Sequence, residues 1–173
     1  DRFFAASERY GFRYTIFIIG RDLENPEVAA RVRAWADAGH EIGNHTWSHH
    51  PNFGALPRFR VEDEILRSHE IIGRTTGKPP RGFISPSWSV SPDVIEILTR
   101  EGYLYDTSIF PSPLIIPALL KLQVNARRHG SFDAAWSRRR DKSVPFCAPR
   151  HPYLIAPGSL TRRAAKGLLE LPL

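Results

Sequence analysis

The sequence predicts an α/β fold, because short apolar segments alternate with amphipathic helical segments through the first 106 residues. Such alternation is typical of strands that helices join into a parallel sheet. The chain has 173 residues, which suits one domain, and its 42% hydrophobic and 24% charged residues are those of an ordinary globular protein. No apolar run approaches the ~18 residues that a membrane-spanning helix needs, so no membrane span is expected.

The amino-terminal elements are marked by apolar periodicity and by helix caps. Arg2–Tyr10 is predicted to form a helix. Residues 14–19 are almost all β-branched or aromatic, as in a strand that is buried on both faces. Asn25 and Pro26 then supply an N-cap and a proline at the first helical position, and Gly39 ends that helix.

The next elements repeat the alternation of strand and helix. Beyond Asp106 the pattern fades, so residues 111–166 are predicted to be an irregular, insertion-like segment. The elements predicted before it are strands at residues 40–44, 82–84 and 103–105, a helix at residues 61–76, and a helix that starts at Ser91-Pro92 and ends at Gly102.

Positive charge is concentrated in one part of the chain. The whole chain carries a net charge of +6, and residues 121–166 alone hold eleven Lys or Arg against two Asp. A basic block can attract nucleic acid. Aromatic residues for base stacking are sparse in it, however, so we interpret it as a solvated region and expect no nucleic-acid partner.

Two histidines form the sharpest chemical feature of the sequence. His45 and His49 follow the strand predicted at residues 40–44, and a helical turn would place both on one face. Two imidazoles on one face can chelate a divalent metal ion, for which Zn²⁺ is the expected identity, although iron, cobalt and nickel also fit. Taken alone, the pair fits a polar loop that carries surface histidines better than it fits a metal site.

The position of polar clusters along the chain favours a site at one edge of the sheet. The histidine pair, residues 85–88 and residues 106–108 each follow a different predicted strand. Because the carboxyl ends of parallel strands meet at one edge, we expect these three clusters to converge there.

These segments together resemble the polysaccharide deacetylase family, which is also called the NodB-homology domain or carbohydrate esterase family four. The resemblance is strongest over residues 1–110 of what would be one partial domain spanning residues 1–173. Residues 15–20 resemble the family's A-T-F-F-x-x-G strand, residues 38–49 its G-H-E-x-x-N-H-[ST]-x-x-H segment, residues 81–89 its R-x-P segment, and residues 102–109 and 167–172 two later strands of one branch.

The resemblance implies a distorted (β/α) barrel, here incomplete at both ends, and a metal-dependent hydrolase of carbon–nitrogen bonds other than peptide bonds. Such an enzyme removes N-acetyl groups from amino sugars of a polysaccharide or glycan. The family holds its metal with one aspartate and two histidines, and the histidines would be His45 and His49. The family's T-F-D-D-G and L-x-H motifs are not found, so the catalytic base and acid are expected outside this chain.

Three further positions carry expectations from the resemblance. Trp88 falls where the family has an aromatic residue at the wall of the substrate groove, with a core role as the alternative. Asp106 falls near a motif whose aspartate supports catalysis, with a turn cap as the alternative. Ile84 stands where the R-x-P motif has arginine, so a catalytically impaired, carbohydrate-binding protein is the alternative function. No signal peptide is visible, and both a cytoplasmic and a cell-envelope location stay open.

Overall fold

A six-stranded sheet and four α-helices make up the part of the chain that the structure, a computed structural model, describes: residues 2–112 and 147–173. Short 3₁₀ turns lie between several of these elements. The helices are Arg2–Tyr10 (α1), Pro26–Asp37 (α2), Arg58–Thr76 (α3) and Pro92–Arg100 (α4); the strands are Thr15–Ile18 (β1), Glu41–Asn44 (β2), Gly82–Phe83 (β3), Tyr105–Asp106 (β4), Tyr153–Leu154 (β5) and Leu169–Glu170 (β6).

The sheet has the strand order β1-β2-β3-β4-β6-β5. Every neighbouring pair from β1 to β6 is parallel, and only β5 pairs antiparallel, with β6. The prediction of an α/β fold with parallel strands is therefore confirmed. The described strands form an open sheet with β1 and β5 at its edges.

The register of the sheet sorts side chains onto two faces. Asn44, Phe83, Asp106 and Glu170 are successive partners across four strands, so their side chains share one face. That face is covered by helices: Asn44 bonds to a carbonyl of α3, and Phe83 belongs to the largest buried apolar cluster. The residues one position further along each strand therefore place their side chains on the opposite face.

Most predicted elements are present with boundaries shifted by a few residues. The side chain of Asn25 caps α2 by accepting a bond from Glu27 N at 2.9 Å, as predicted. Helix α3 begins at Arg58, three residues before its predicted start. The strand predicted at residues 103–105 lies instead at Tyr105–Asp106.

Residues 111–166, which were predicted to be irregular and insertion-like, contain a short strand in their described carboxyl-terminal part. Tyr153–Leu154 forms β5, and Ile155 bridges to Arg163 just beyond it. The rest of the basic segment, residues 113–146, lies outside the described residues. In the part of the chain that is described, no helix is long and apolar enough to cross a bilayer.

Candidate active site at the carboxyl ends of the strands

The two histidines lie side by side on a turn that directly follows β2. The ring centroids of His45 and His49 are 4.8 Å apart, and the rings meet edge to face at 67°. The turn is not helical, which corrects the expected local conformation. Thr46 and His49 have φ values of 66° and 57°, in the left-handed region that non-glycine residues seldom adopt. Residues 44–49 are called the histidine turn below.

Backbone hydrogen bonds hold the histidine turn against the segment that leaves β1. His45 N donates to the Ile18 carbonyl at 2.9 Å, and Gly20 N donates to the Thr46 carbonyl at 2.9 Å. Gly20 is required here by close approach, because a Cβ at this position would lie 2.7 Å from the Cα atom of Ser68. The turn is thereby seated between β1 and α3.

Helix α3 supplies side chains that clamp the turn. The carboxylate of Glu64 accepts two bonds from Ser48, one from its backbone N at 2.8 Å and one from its Oγ at 2.7 Å. The guanidinium of Arg67 lies 4.0 Å above the ring of Trp47. These long-range contacts stabilise a backbone conformation that the local sequence alone would not favour.

The environment of His45 leaves one nitrogen available to a metal ion. His45 Nδ1 lies 2.7 Å from the Ile84 carbonyl, which can only accept, so Nδ1 carries the proton and Nε2 keeps its lone pair. Burial is the main cause that lowers the pKa of His45, and the nearby charge of His49 lowers it further, against the bond to Ile84. A neutral imidazole with this tautomer suits a metal ligand.

The pair of imidazoles fits a divalent ion, but it is not a complete site. Within residues 2–112 and 147–173, no group of three or more His, Cys, Asp or Glu side chains is placed to hold a metal. Protein or water ligands from elsewhere would have to complete the coordination sphere.

Ile84 contributes to the site through its main chain. Its carbonyl orients His45, and its side chain is half-buried at the position where the R-x-P motif has arginine. The main chain of residue 84 therefore orients His45, while the isoleucine side chain offers no charged group at this position.

An aromatic pair, in which Trp88 is exposed and Phe110 is half-buried, follows β3 and β4 at the same edge of the sheet. Trp88 is 46% exposed, and its ring stacks on Phe110 with centroids 5.6 Å apart and an angle of 24°. Ser87 and Trp88 both have positive φ, of 53° and 54°. We call Trp88 and Phe110 the aromatic platform. Sequence reasoning missed Phe110, and its position just beyond β4 was the available signal.

Asp106 is not brought together with the histidines. Its side chain is fully buried on the helix-covered face, where it accepts a bond from Ser108 Oγ and lies beside the buried carboxyl of Glu170. Burial is the main cause that raises the pKa of both groups, and for Glu170 the neighbouring charge of Asp106 raises it further. A supporting role of Asp106 in catalysis stays a prediction.

This arrangement defines a class: an α/β protein with a histidine pair at the carboxyl end of a parallel strand. A family model described as polysaccharide deacetylase matches residues 1–105. Since this is more than half of the chain, the chain belongs to the polysaccharide deacetylase family.

A curated relative agrees with this assignment. A peptidoglycan deacetylase of Helicobacter pylori is 35% identical over 102 residues, which are 59% of this chain and 34% of the relative. The chain thus spans about a third of the length of that relative.

Solved structures show the same fold. A structure from Mycobacterium smegmatis, described as a polysaccharide deacetylase, matches 99% of this chain and 44% of its own, with a TM-score of 0.67 and 21% identity. A carbohydrate esterase family 4 pseudoenzyme from Bacillus anthracis matches 58% of this chain and 35% of its own, with a TM-score of 0.54 and 26% identity. A family 4 acetyl xylan esterase from Clostridium thermocellum, solved with a cobalt ion, matches 61% and 49%, with a TM-score of 0.54 and 24% identity.

Proposed function

We propose that this chain is part of a metal-dependent hydrolase that removes N-acetyl groups from amino sugars of a glycan. The observation that carries the proposal is the histidine pair, in which the bond from His45 Nδ1 to the Ile84 carbonyl leaves Nε2 free to bind. The peptidoglycan deacetylase of Helicobacter pylori supports peptidoglycan as the class of glycan.

The metal would be held by His45 and His49, and Zn²⁺ is the expected ion because imidazole nitrogens favour it. The cobalt ion in the acetyl xylan esterase supports use of a divalent metal more generally. When bound, the ion supplies an activated water and polarises the acetyl carbonyl. The chain's own part is to hold the two imidazoles side by side: the Ile84 carbonyl orients His45, and Glu64 holds Ser48 of the turn between them.

The aromatic platform is the proposed contact for a sugar ring. The exposed faces of aromatic rings carry partial negative charge and attract the C–H groups of a pyranose face. Trp88 is exposed enough to make that contact, and its stacking on Phe110 fixes the plane of the ring. The platform would therefore bind and orient the glycan rather than take part in proton transfer.

A second candidate function is a carbohydrate-binding protein with impaired catalysis. It is favoured by Ile84 at the arginine position and by the likeness to the Bacillus anthracis pseudoenzyme. Both candidate functions use the histidine turn and the aromatic platform. They differ only in whether the protein turns over its glycan.

The test is release of acetate from N-acetylated peptidoglycan fragments by the intact protein loaded with Zn²⁺. We expect turnover that falls at least ~100-fold in the variant His45→Ala/His49→Ala, as for loss of metal ligands. The control His151→Ala removes an exposed histidine outside the site and should leave turnover unchanged. If the wild type binds the glycan without turnover and Ile84→Arg gains activity, the second candidate is correct. Equal turnover in the double variant and the wild type would refute the proposed site.

A further inference from the structure

A buried tyrosine hydroxyl connects helix α3 to the histidine turn. Asn44 Nδ2 lies 2.7 Å from Tyr103 Oη, and His69 Nδ1 lies 3.0 Å from the same oxygen. The three residues come from β2, the segment before β4, and α3. Tyr103 and His69 have no place in the metal chemistry described above.

The direction of each hydrogen bond follows from the donors and acceptors. Thr46 N donates to Asn44 Oδ1 at 2.8 Å, which identifies the oxygen end of the amide. The amide nitrogen then donates one hydrogen to the Ile65 carbonyl and the other to Tyr103 Oη. Tyr103 therefore donates its own proton to His69 Nδ1.

His69 and Tyr103 are both in the protonation state that this direction requires. Burial is the main cause that lowers the pKa of His69, against the opposing charge of Glu101, so its ring is neutral and Nδ1 can accept. Burial raises the pKa of Tyr103 well above its usual range, so the hydroxyl keeps its proton. The chain of bonds from Asn44 through Tyr103 to His69 is thus complete at neutral pH.

Asn44 connects these hydrogen bonds to the backbone beside both proposed metal-binding histidines. It directly precedes His45, and its Oδ1 anchors the backbone N of Thr46, whose left-handed φ needs external support. Thr46 Oγ1 in turn accepts from His49 N at 3.2 Å. One amide side chain therefore restrains the backbone next to each imidazole.

We propose that Tyr103 and His69 are positioning residues that hold Asn44, and through it His45 and His49, in the arrangement that binds a metal ion. This inference rests on the proposed function of the two histidines as ligands. Groups that orient ligands from outside the coordination sphere typically change metal affinity by roughly 10–100-fold. Because Tyr103 acts through two hydrogen bonds in series, the expected effect lies near the lower value.

The test compares two buried tyrosines in the intact protein. Tyr103→Phe removes the hydroxyl that links Asn44 to His69. Tyr153→Phe is the matched control, because Tyr153 is 4% exposed against 5% for Tyr103 and its hydroxyl donates to the Leu160 carbonyl, away from the histidine turn. Hydrogen exchange at Thr46 N is measured without metal, and Co²⁺ binding is followed by affinity and by visible absorption.

We expect Tyr103→Phe to speed exchange at Thr46 N about tenfold, to weaken Co²⁺ binding about tenfold and to shift the absorption bands. Tyr153→Phe should change none of these at comparable stability. His69→Asn, which retains an acceptor near the Nδ1 position, should behave like the wild type, whereas His69→Leu should resemble Tyr103→Phe.

The two readouts separate the inference from the function on which it rests. Unchanged exchange at Thr46 N in Tyr103→Phe, or equal changes in both tyrosine variants, would overturn the positioning role. If Tyr103→Phe speeds exchange at Thr46 N but the wild type does not bind Co²⁺, the positioning of the turn is supported and the proposed metal site is overturned.

Discussion

Replacing Glu170 by glutamine should remove much of the loss of stability that the protein shows as pH rises into the alkaline range. The buried carboxyl groups of Glu170 and Asp106 face each other on the helix-covered side of the sheet, and Ile109 N donates to Glu170 Oε1 at 3.1 Å. Glutamine has the shape of a protonated glutamate. Its oxygen can accept from Ile109 N, and its amide nitrogen can donate to Asp106 without any titrating proton.

The magnitude follows from proton linkage. Burial and the charge of Asp106 raise the pKa of Glu170 from 4.5 to about 11. Because the folded-state pKa is raised, the stabilisation is complete below pH 4.5 and is lost as pH rises toward 11. Each pH unit within that window costs about 1.4 kcal/mol, so stability should fall by about 2 kcal/mol between pH 7.5 and 9.

Urea unfolding of the intact protein at several pH values measures how the free energy of unfolding changes with pH. The wild type should lose stability through the window, whereas Glu170→Gln should show little change and should be the more stable protein at pH 9. Glu8→Gln alters an exposed glutamate on α1 and should keep the wild-type slope. If stability changes with pH equally in the wild type and in Glu170→Gln, the raised pKa of Glu170 is refuted.

Three other perturbations test separate parts of the site. Glu64→Gln replaces one acceptor by a donor and should weaken Zn²⁺ binding about tenfold in calorimetry, while Glu70→Gln on the same helix should not. Gly20→Ala places a methyl group against α3 and should lower the free energy of unfolding by about 1–3 kcal/mol in urea; an unchanged value would contradict the close approach. Trp88→Ala should raise KM for the glycan up to about tenfold at unchanged Zn²⁺ affinity, with the exposed aromatic change Phe59→Ala as the neutral control.

The order of strands and helices could be predicted from local patterns. The apolar run that contains β1, the Asn25-Pro26 start of α2 and Gly77 after α3 each act within a few residues, so their signals are present in a single stretch of sequence. The pairing of β4 with β6 joins residues about sixty positions apart, and the resemblance of residues 167–172 to a family strand was its only indication.

The candidate site was predictable in its residues but not in its conformation. His45 and His49 follow from a motif, yet the left-handed φ values of Thr46 and His49 depend on bonds from α3 and from the segment after β1. The sequence of the turn alone does not determine which distant elements pack against it. For the same reason the partnership of Asp106 with Glu170 was not foreseen.

The most direct test of the metal site is calorimetric titration of the intact protein with Zn²⁺ at neutral pH. We expect one ion per chain in the wild type and in the control His151→Ala, and no binding in His45→Ala/His49→Ala. If the wild type takes up no Zn²⁺, or if the double variant binds it with the same stoichiometry and affinity, the histidine turn is not the metal centre and only the membership of the family stands.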